Sequence, residues 1–398
     1  MEKRPLVPRN AIILAFVAFF SGFGQDLIAP ILPGYLALLA LSRAEIGLID
    51  GLLQGTTNIF RFLSGYFSDR FHARKGFVFF GYALSSVARP LLAAATFFLP
   101  IAVLRVLDGA GKGIKDAPRD ALVAEEATTK TSGRAFGFQR MIDTGGSVFG
   151  PLSAFALLML LSPTLGSYRF IFALAAIPGA IALGLIWFGV REKSQEQKAQ
   201  KRSQTRLPLR FWIFTGAISF AMLTKINDSL FLVRAGDLGV PNVWIPLLFG
   251  GFTLLYALAS YPIGIWSDRV GKLPFIASGW IVLAFTEYGF TMDPNLPMTL
   301  VLFAGYGLFF ALTEGSGRAF IADIVSEGNH GKAYGIYYTA IGLALIFGGY
   351  VLGSVWDRNS PESAFRIAAV GSMVGGLIMF GLLKTKRAPG GTQMNRLS

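Results

Sequence analysis

Gly65-Tyr66-Phe67-Ser68-Asp69-Arg70-Phe71-His72-Ala73-Arg74-Lys75 reads as a charged turn between two long apolar runs. A second version follows as Gly264-Ile265-Trp266-Ser267-Asp268-Arg269-Val270-Gly271-Lys272. The glycines are 264 − 65 = 199 residues apart, and the aspartates 268 − 69 = 199, half of the 398-residue chain. A Gly-x-x-Ser-Asp-Arg string repeated at half the length marks an internal duplication. A second pair of blocks agrees. Arg119 to Gly137 and Arg318 to Gly335 share a pattern, offset by 318 − 119 = 199 at the start and 335 − 137 = 198 at the end. One residue has been lost in between.

Hydrophobic residues make up 53% of the chain and charged residues 15%, with mean hydropathy +0.54. Soluble domains carry about 25% charge. Many apolar runs reach the roughly 20 residues that cross a bilayer, so the chain reads as an integral membrane protein. With no cysteine, a disulfide framework and thiolate metal or redox centres are excluded. The two histidines, His72 and His330, fall in expected loops, so neither a metal site nor a cofactor is expected. The net charge of +13 is read as loop lysine and arginine on one membrane side rather than as a nucleic-acid footprint. Near the N-terminus, Lys3, Arg4 and Arg9 precede an apolar run with no clear cleavage site, which reads as an uncleaved first span.

The pattern predicts an all-α protein of twelve transmembrane helices in two pseudo-symmetric six-helix halves. The expected spans are 11–34, 44–67, 76–98, 99–122, 134–161 and 168–190, then 210–234, 242–267, 273–292, 297–324, 332–356 and 364–384. The N-terminal bundle is 1–190, a basic linker 191–209, the C-terminal bundle 210–384, and a tail 385–398. Helices are required because unpaired backbone groups are too costly in lipid, and the runs are too long for barrel strands. Arg70, Arg74, Lys75, the seven basic residues of 191–210, and Lys384, Lys386 and Arg387 all fall on one side. That side is expected to be cytoplasmic, with both termini and the linker on it. Parallel halves of this kind place a binding site between them near the midplane.

The Gly65…Asp69-Arg70…Arg74-Lys75 string resembles the loop 2–3 signature of the major facilitator superfamily. Leu104-Arg105-Val106-Leu107-Asp108-Gly109-Ala110-Gly111 resembles its fourth-helix signature, with Asp108 and Lys112 departing from the usual pattern. Gly146-Ser147-Val148-Phe149-Gly150-Pro151 resembles the fifth-helix signature of drug–proton antiporters, with Leu152 and Ser153 replacing later glycines. The resemblance covers essentially the whole chain. It implies that Gly65, Asp69 and Arg70, and their repeats Gly264, Asp268 and Arg269, form a conformational latch in which a carboxylate caps a helix of the opposite half. Gly146, Gly150 and Pro151 would let the fifth helix bend and pack tightly.

Ionisable groups inside spans are costly and mark substrate or proton paths. Arg105, Asp108, Lys112, Lys115, Asp116 and Arg119 follow spacings of three and four on one helix face, where Asp108 could pair with Lys112 and Lys112 with Asp116. Lys115, Asp116 and Arg119 read better as a structural stripe. Gln25-Asp26 in the first span resembles Asn227-Asp228 in the seventh, with Lys225 nearby. A membrane carboxylate can take and release a proton as access alternates. Asp26, Asp228 and then Glu314 are the proton-coupling candidates, although Glu314 and Arg318 also suit an i,i+4 pair. Glu287 sits nearer the outer end and is the weaker candidate. Arg89, Arg105, Asp108, Lys112 and Lys225 are the substrate-binding candidates. Gly109-Ala110-Gly111-Lys112-Gly113 lacks the spacing of a phosphate loop.

The leading expectation is a proton-coupled exporter of small organic or amphiphilic compounds in the plasma membrane, working by alternating access as a monomer. Its partners would be a small-molecule substrate, protons and the lipid bilayer. Proton-coupled import of an anionic solute, using Arg89, Arg105 and Lys112, is the alternative, and a non-transporting sensor or assembly relative the third. No catalytic triad, metal cluster or cofactor loop points to an enzyme.

Overall fold

A computed structural model describes residues 9–71, 74–126, 132–191 and 206–383. The chain forms twelve membrane helices. In the first half these are α1 (Arg9–Leu38), α2 (Arg43–Phe71), α3 (Arg74–Ala94), α4 (Phe98–Glu126), α5 (Ser132–Leu161) and α6 (Leu165–Gly189). In the second they are α7 (Leu209–Asp237), α8 (Ile245–Val270), α9 (Lys272–Met292), α10 (Leu296–Ile324), α11 (His330–Arg358) and α12 (Pro361–Leu383). Ten are long and apolar enough to cross a bilayer by length and composition alone. The other two are α2 and α4, and α4 carries the charged face foreseen from sequence.

Most of each signature string lies in the end of a helix. The backbone through 65–71 is helical, and so is that through 264–270, with the chain reversing at Gly271. Gly271 has φ +109°, a conformation that L side chains rarely adopt. Most of the linker (192–205), His72 and the tail from 384 lie outside the described residues.

Packing repeats between the halves. α1 lies on α5 as α7 lies on α11; α2 on α4 as α8 on α10; α3 on α4 as α9 on α10. Between the halves, α2 packs along α11 and α5 against α8. The α2 seam is built on Gly47, Gly51 and Gly55, one per turn. A Cβ on Gly47 would fall on the Gly349 carbonyl, and one on Gly55 on the Gly342 carbonyl. Small residues let helix backbones meet where apolar burial gives no net drive between lipid-soaked helices.

Two helices that face the seam are broken. α1 is interrupted between Ile28 and Leu32, where Pro30 lacks an N–H and Pro33 opens the next segment. α7 is interrupted between Thr224 and Asp228, where Lys225 is extended and Asn227 caps the distal segment by accepting the Leu230 N–H. Below, the basic end is the one carrying the 2–3 and 8–9 turns, and the far end is its opposite.

Candidate functional site

In the first half, three buried charges meet between α3 and α4. Arg89 Nε donates to both oxygens of Asp108, at 3.1 and 3.3 Å, and Arg105 Nη1 reaches the same carboxylate at 3.5 Å. Arg89 Nη1 also donates to the Ser21 carbonyl of α1 at 2.8 Å. All three side chains are at most 5% exposed. The sequence suggested pairs along the helix, Asp108 with Lys112 and Lys112 with Asp116. The structure brings the closest partners from other helices: Asp108 pairs with Arg89 of α3, besides Arg105 on α4, and Asp116 with Arg61 of α2 at 2.6 Å. The guanidinium fork matches a carboxylate better than a lysine on the same helix can. Lys112 has Asp26, Asp116 and Asp108 as its electrostatic neighbours. Lys115 lies over the Tyr82 ring, 4.3 Å from its centroid, and Arg119 bonds Asp120, so this end of the stripe is structural.

Gly109, Gly111 and Gly113 of α4 and Gly146 and Gly150 of α5 are packing residues. A Cβ on Gly109 or Gly113 would strike α2, and one on Gly111 would strike α3. This explains the Gly-Ala-Gly-Lys-Gly run without any phosphate. Gly146 faces the backbone of Phe19, and Gly150 that of Phe23 and Asp26, so α5 lies against α1 at the level of Asp26. Pro151 touches Gly250 of α8 across the seam. Asp26, 5% exposed, accepts from Gln25 Nε2 at 3.1 Å, with Lys112 and Arg89 as its nearest cations.

The second half concentrates its polar groups at the α7 break. Lys225 Nζ donates to the Ile226 carbonyl and to the Tyr306 hydroxyl, each at 2.8 Å, and lies 3.6 Å from Asp228. The Tyr306 hydroxyl donates in turn to Asp228. Glu287 is fully buried, accepting the Ile226 N–H at 3.1 Å and the Ser372 hydroxyl at 2.7 Å. Its place is the hinge of α7 rather than the rim of the protein. An aromatic wall stands behind. Tyr306 lies 4.3 Å from Phe231, 5.2 Å from Phe252 and 5.0 Å from Phe310, centroid to centroid. Lys225 Nζ sits over the Tyr306 and Phe310 rings at 5.0 and 5.7 Å.

Asp50 of α2 and Tyr306 were missed by the sequence reading. Asp50 is 5% exposed and accepts the Ser229 N–H of α7 at 3.3 Å. Its signal was present, since it is the one ionisable residue between Glu45 and Arg61. Tyr306 is marked only by register, 198 residues after Asp108.

Glu314 stands apart from Asp26 and Asp228, toward the basic end. It bonds Arg318 at 2.7 Å and accepts from Tyr256, which itself accepts from Arg140 of α5. Glu314 and Arg318 are 43% and 48% exposed, an i,i+4 pair rather than a buried carrier. Of the expected latch, the second string is the one whose side chains are described. Asp268 pairs with Lys272 on its own half, Arg269 is exposed, and a Cβ on Gly264 would meet open space. The side chains of Asp69 and Arg70, and what Gly65 packs against, lie outside the described residues.

The family model described as Major Facilitator Superfamily matches residues 14–246 and again 213–396. The MFS-type transporter MJ1317 of Methanocaldococcus jannaschii is 31% identical, covering 93% of this chain and 94% of its own. The hexuronate transporter of Bacillus subtilis is 26% identical over 88% of this chain and 86% of its own. The quinolone resistance protein NorA of Staphylococcus aureus is 22% identical over 96% and 98%. Among solved structures, the D323A mutant of nucleoside transporter NupG superposes with TM-score 0.78 at 16% identity, over 94% of this chain and 100% of that one.

Proposed function

The chain belongs to the Major Facilitator Superfamily, and from that premise we propose a proton-coupled antiporter that exports small organic or amphiphilic compounds. It is a multi-pass membrane transporter rather than an enzyme. In this reading it lies in the plasma membrane with the basic end cytoplasmic, works as a monomer, and exposes its central site to one side at a time.

One observation carries the reading. Asp228 opens the distal segment of a broken helix at the seam and is held by a tyrosine hydroxyl and a lysine in front of an aromatic wall. If this carboxylate takes a proton, the buried Lys225 beside it keeps the Ile226 carbonyl and the Tyr306 hydroxyl as hydrogen-bond partners. The rings offer an apolar, cation-tolerant surface to an amphiphile. Asp26, on the matching broken helix, is the second carrier. The NorA relative, a quinolone resistance protein, fits export.

A specific observation favours import of an anionic solute instead. Arg89 Nη2 and Arg105 Nε are buried with no hydrogen-bond partner among the described residues, and guanidinium groups suit carboxylates. The hexuronate relative points the same way by its name.

The test is proton movement in proteoliposomes challenged with cationic, neutral and anionic solutes. A lipophilic cation should dissipate a preset pH gradient, and Asp26→Asn and Asp228→Asn should each abolish that response. A response confined to anions and lost in Lys112→Ala would establish the import reading. Coupling that survives both Asn variants would sink the assignment of the carriers.

A further inference from the structure

The device expected at the basic end, a carboxylate of one half on a helix N-terminus of the other, is present at the far end, built from other residues. Asp50 of α2 accepts the N–H of Ser229, second residue of the ten-residue segment Asp228–Asp237 of α7. In return, Asp357 of α11 accepts the N–H groups of Arg43 and Ala44, the first two residues of α2, at 3.0 and 2.9 Å. Each half therefore satisfies the unpaired first-turn donors of a helix in the other. Two further contacts join the same faces. Asn227 Nδ2 donates to the Gly47 carbonyl at 2.8 Å, and Arg43 pairs with Asp237 at 3.2 Å.

We propose that Asp50 and Asp357 form a reciprocal lock that holds the far end shut, and that protonation of Asp50 releases it. The proposal rests on the alternating-access reading above. All of these contacts span the seam, so opening the far end must break them together. The two carboxylates differ in surroundings. Asp357 is exposed, whereas Asp50 is buried and faced by Arg105 from α4, Lys225 and Asp228 from α7, and Tyr306 from α10. The α11 face packed here offers Leu345, Ile346 and Gly349, none of which titrates. A protonated Asp50 loses the charge that favours its place at the helix terminus while keeping its shape. Proton uptake and far-end opening then become one event.

The chain has no cysteine, so spin labels can be placed without background. Leu99 on α4 and Met292 on α9, each 62% exposed at the far end, are suitable positions for Cys substitution. Pulsed dipolar distances would be measured against pH without substrate, in otherwise wild-type protein and in Asp50→Asn, Asp357→Asn and the double variant. The expected result is a short distance at neutral pH that lengthens on acidification. Each single variant should shift the open-to-closed ratio by roughly tenfold. Asp357→Asn should keep the pH response and Asp50→Asn should lack it. An unchanged distribution in the double variant overturns the lock, and a wild-type pH response in Asp50→Asn overturns the proton step. If Asp50→Asn does not fold, Asp50→Glu takes its place, expected to keep the pH response with a displaced midpoint; an unmoved midpoint overturns the step. Distances need no transport, so failure of the exporter reading in liposomes leaves this result separate.

Discussion

Arg89 and Asp108 of the first half correspond by register to Glu287 and Tyr306 of the second, since 287 − 89 = 198 and 306 − 108 = 198. The helices bearing them start at the same offset, 272 − 74 = 198 and 296 − 98 = 198. Both halves tie their third helix to the backbone of their first. Arg89 donates to a carbonyl of α1, and Glu287 accepts an N–H of α7. The contact is the same in kind and opposite in sign. In the first half, two guanidinium groups share one carboxylate away from water. In the second, each carboxylate is held chiefly by neutral donors: Glu287 by an amide and a serine, Asp228 by a tyrosine with a lysine just beyond. One half makes this tie with a charged pair, and the other with hydrogen bonds.

The largest expected effect follows from the charged pair. Asp108→Asn leaves Arg89 and Arg105 buried without their shared anion. Breaking a buried pair costs about 3–5 kcal/mol. Heating the purified variant should show a marked early loss of monodisperse protein. Its register partner should behave differently. Tyr306→Phe removes one hydroxyl, while Lys225 keeps the Ile226 carbonyl and Asp228. The loss should be about 1–3 kcal/mol, the range for a buried hydrogen bond with one partner removed. Equal damage from the two variants would place the same structural burden on both halves and overturn this difference between them.

The fold was legible because its signals are long and repeated. Apolar runs of bilayer length and two charged strings half a chain apart lead to twelve helices, and the observed helices lie within a few residues of the expected ones. The breaks were less visible. Asn227-Asp228 stood out by its likeness to Gln25-Asp26, but that likeness does not show that Lys225 is extended or that Asn227 caps a new segment. The pairing on α4 was misread because helix periodicity shows which residues share a face, not which neighbouring helix supplies the partner. Arg61 and Arg89 come from α2 and α3, and spacing along α4 holds no trace of them. Gly65 and Gly264 stood out in the sequence because a motif marks them. The seam rests on Gly47, Gly51 and Gly55, which match no string and stand out only as one small residue per turn.

The mildest loss is expected at Glu287. Glu287→Gln keeps a carbonyl oxygen for the Ile226 N–H, and its amide can face Ser372, whose hydroxyl turns to accept. No buried cation loses a direct partner, because Lys225 is bonded elsewhere. Stability should fall by about 1 kcal/mol or less. Glu287→Leu has similar bulk but leaves the Ile226 N–H buried and unpaired at the open turn of α7, and should cost about 1–3 kcal/mol. If Glu287 worked as an anion, as Asp108 does, Gln and Leu would be equally harmful, since both remove the charge. If it works as an acceptor for the α7 hinge, Gln should be tolerated and Leu should not. Thermal unfolding of the two variants side by side, with Asp108→Asn as reference, separates a second half built on hydrogen bonds from one built on charge.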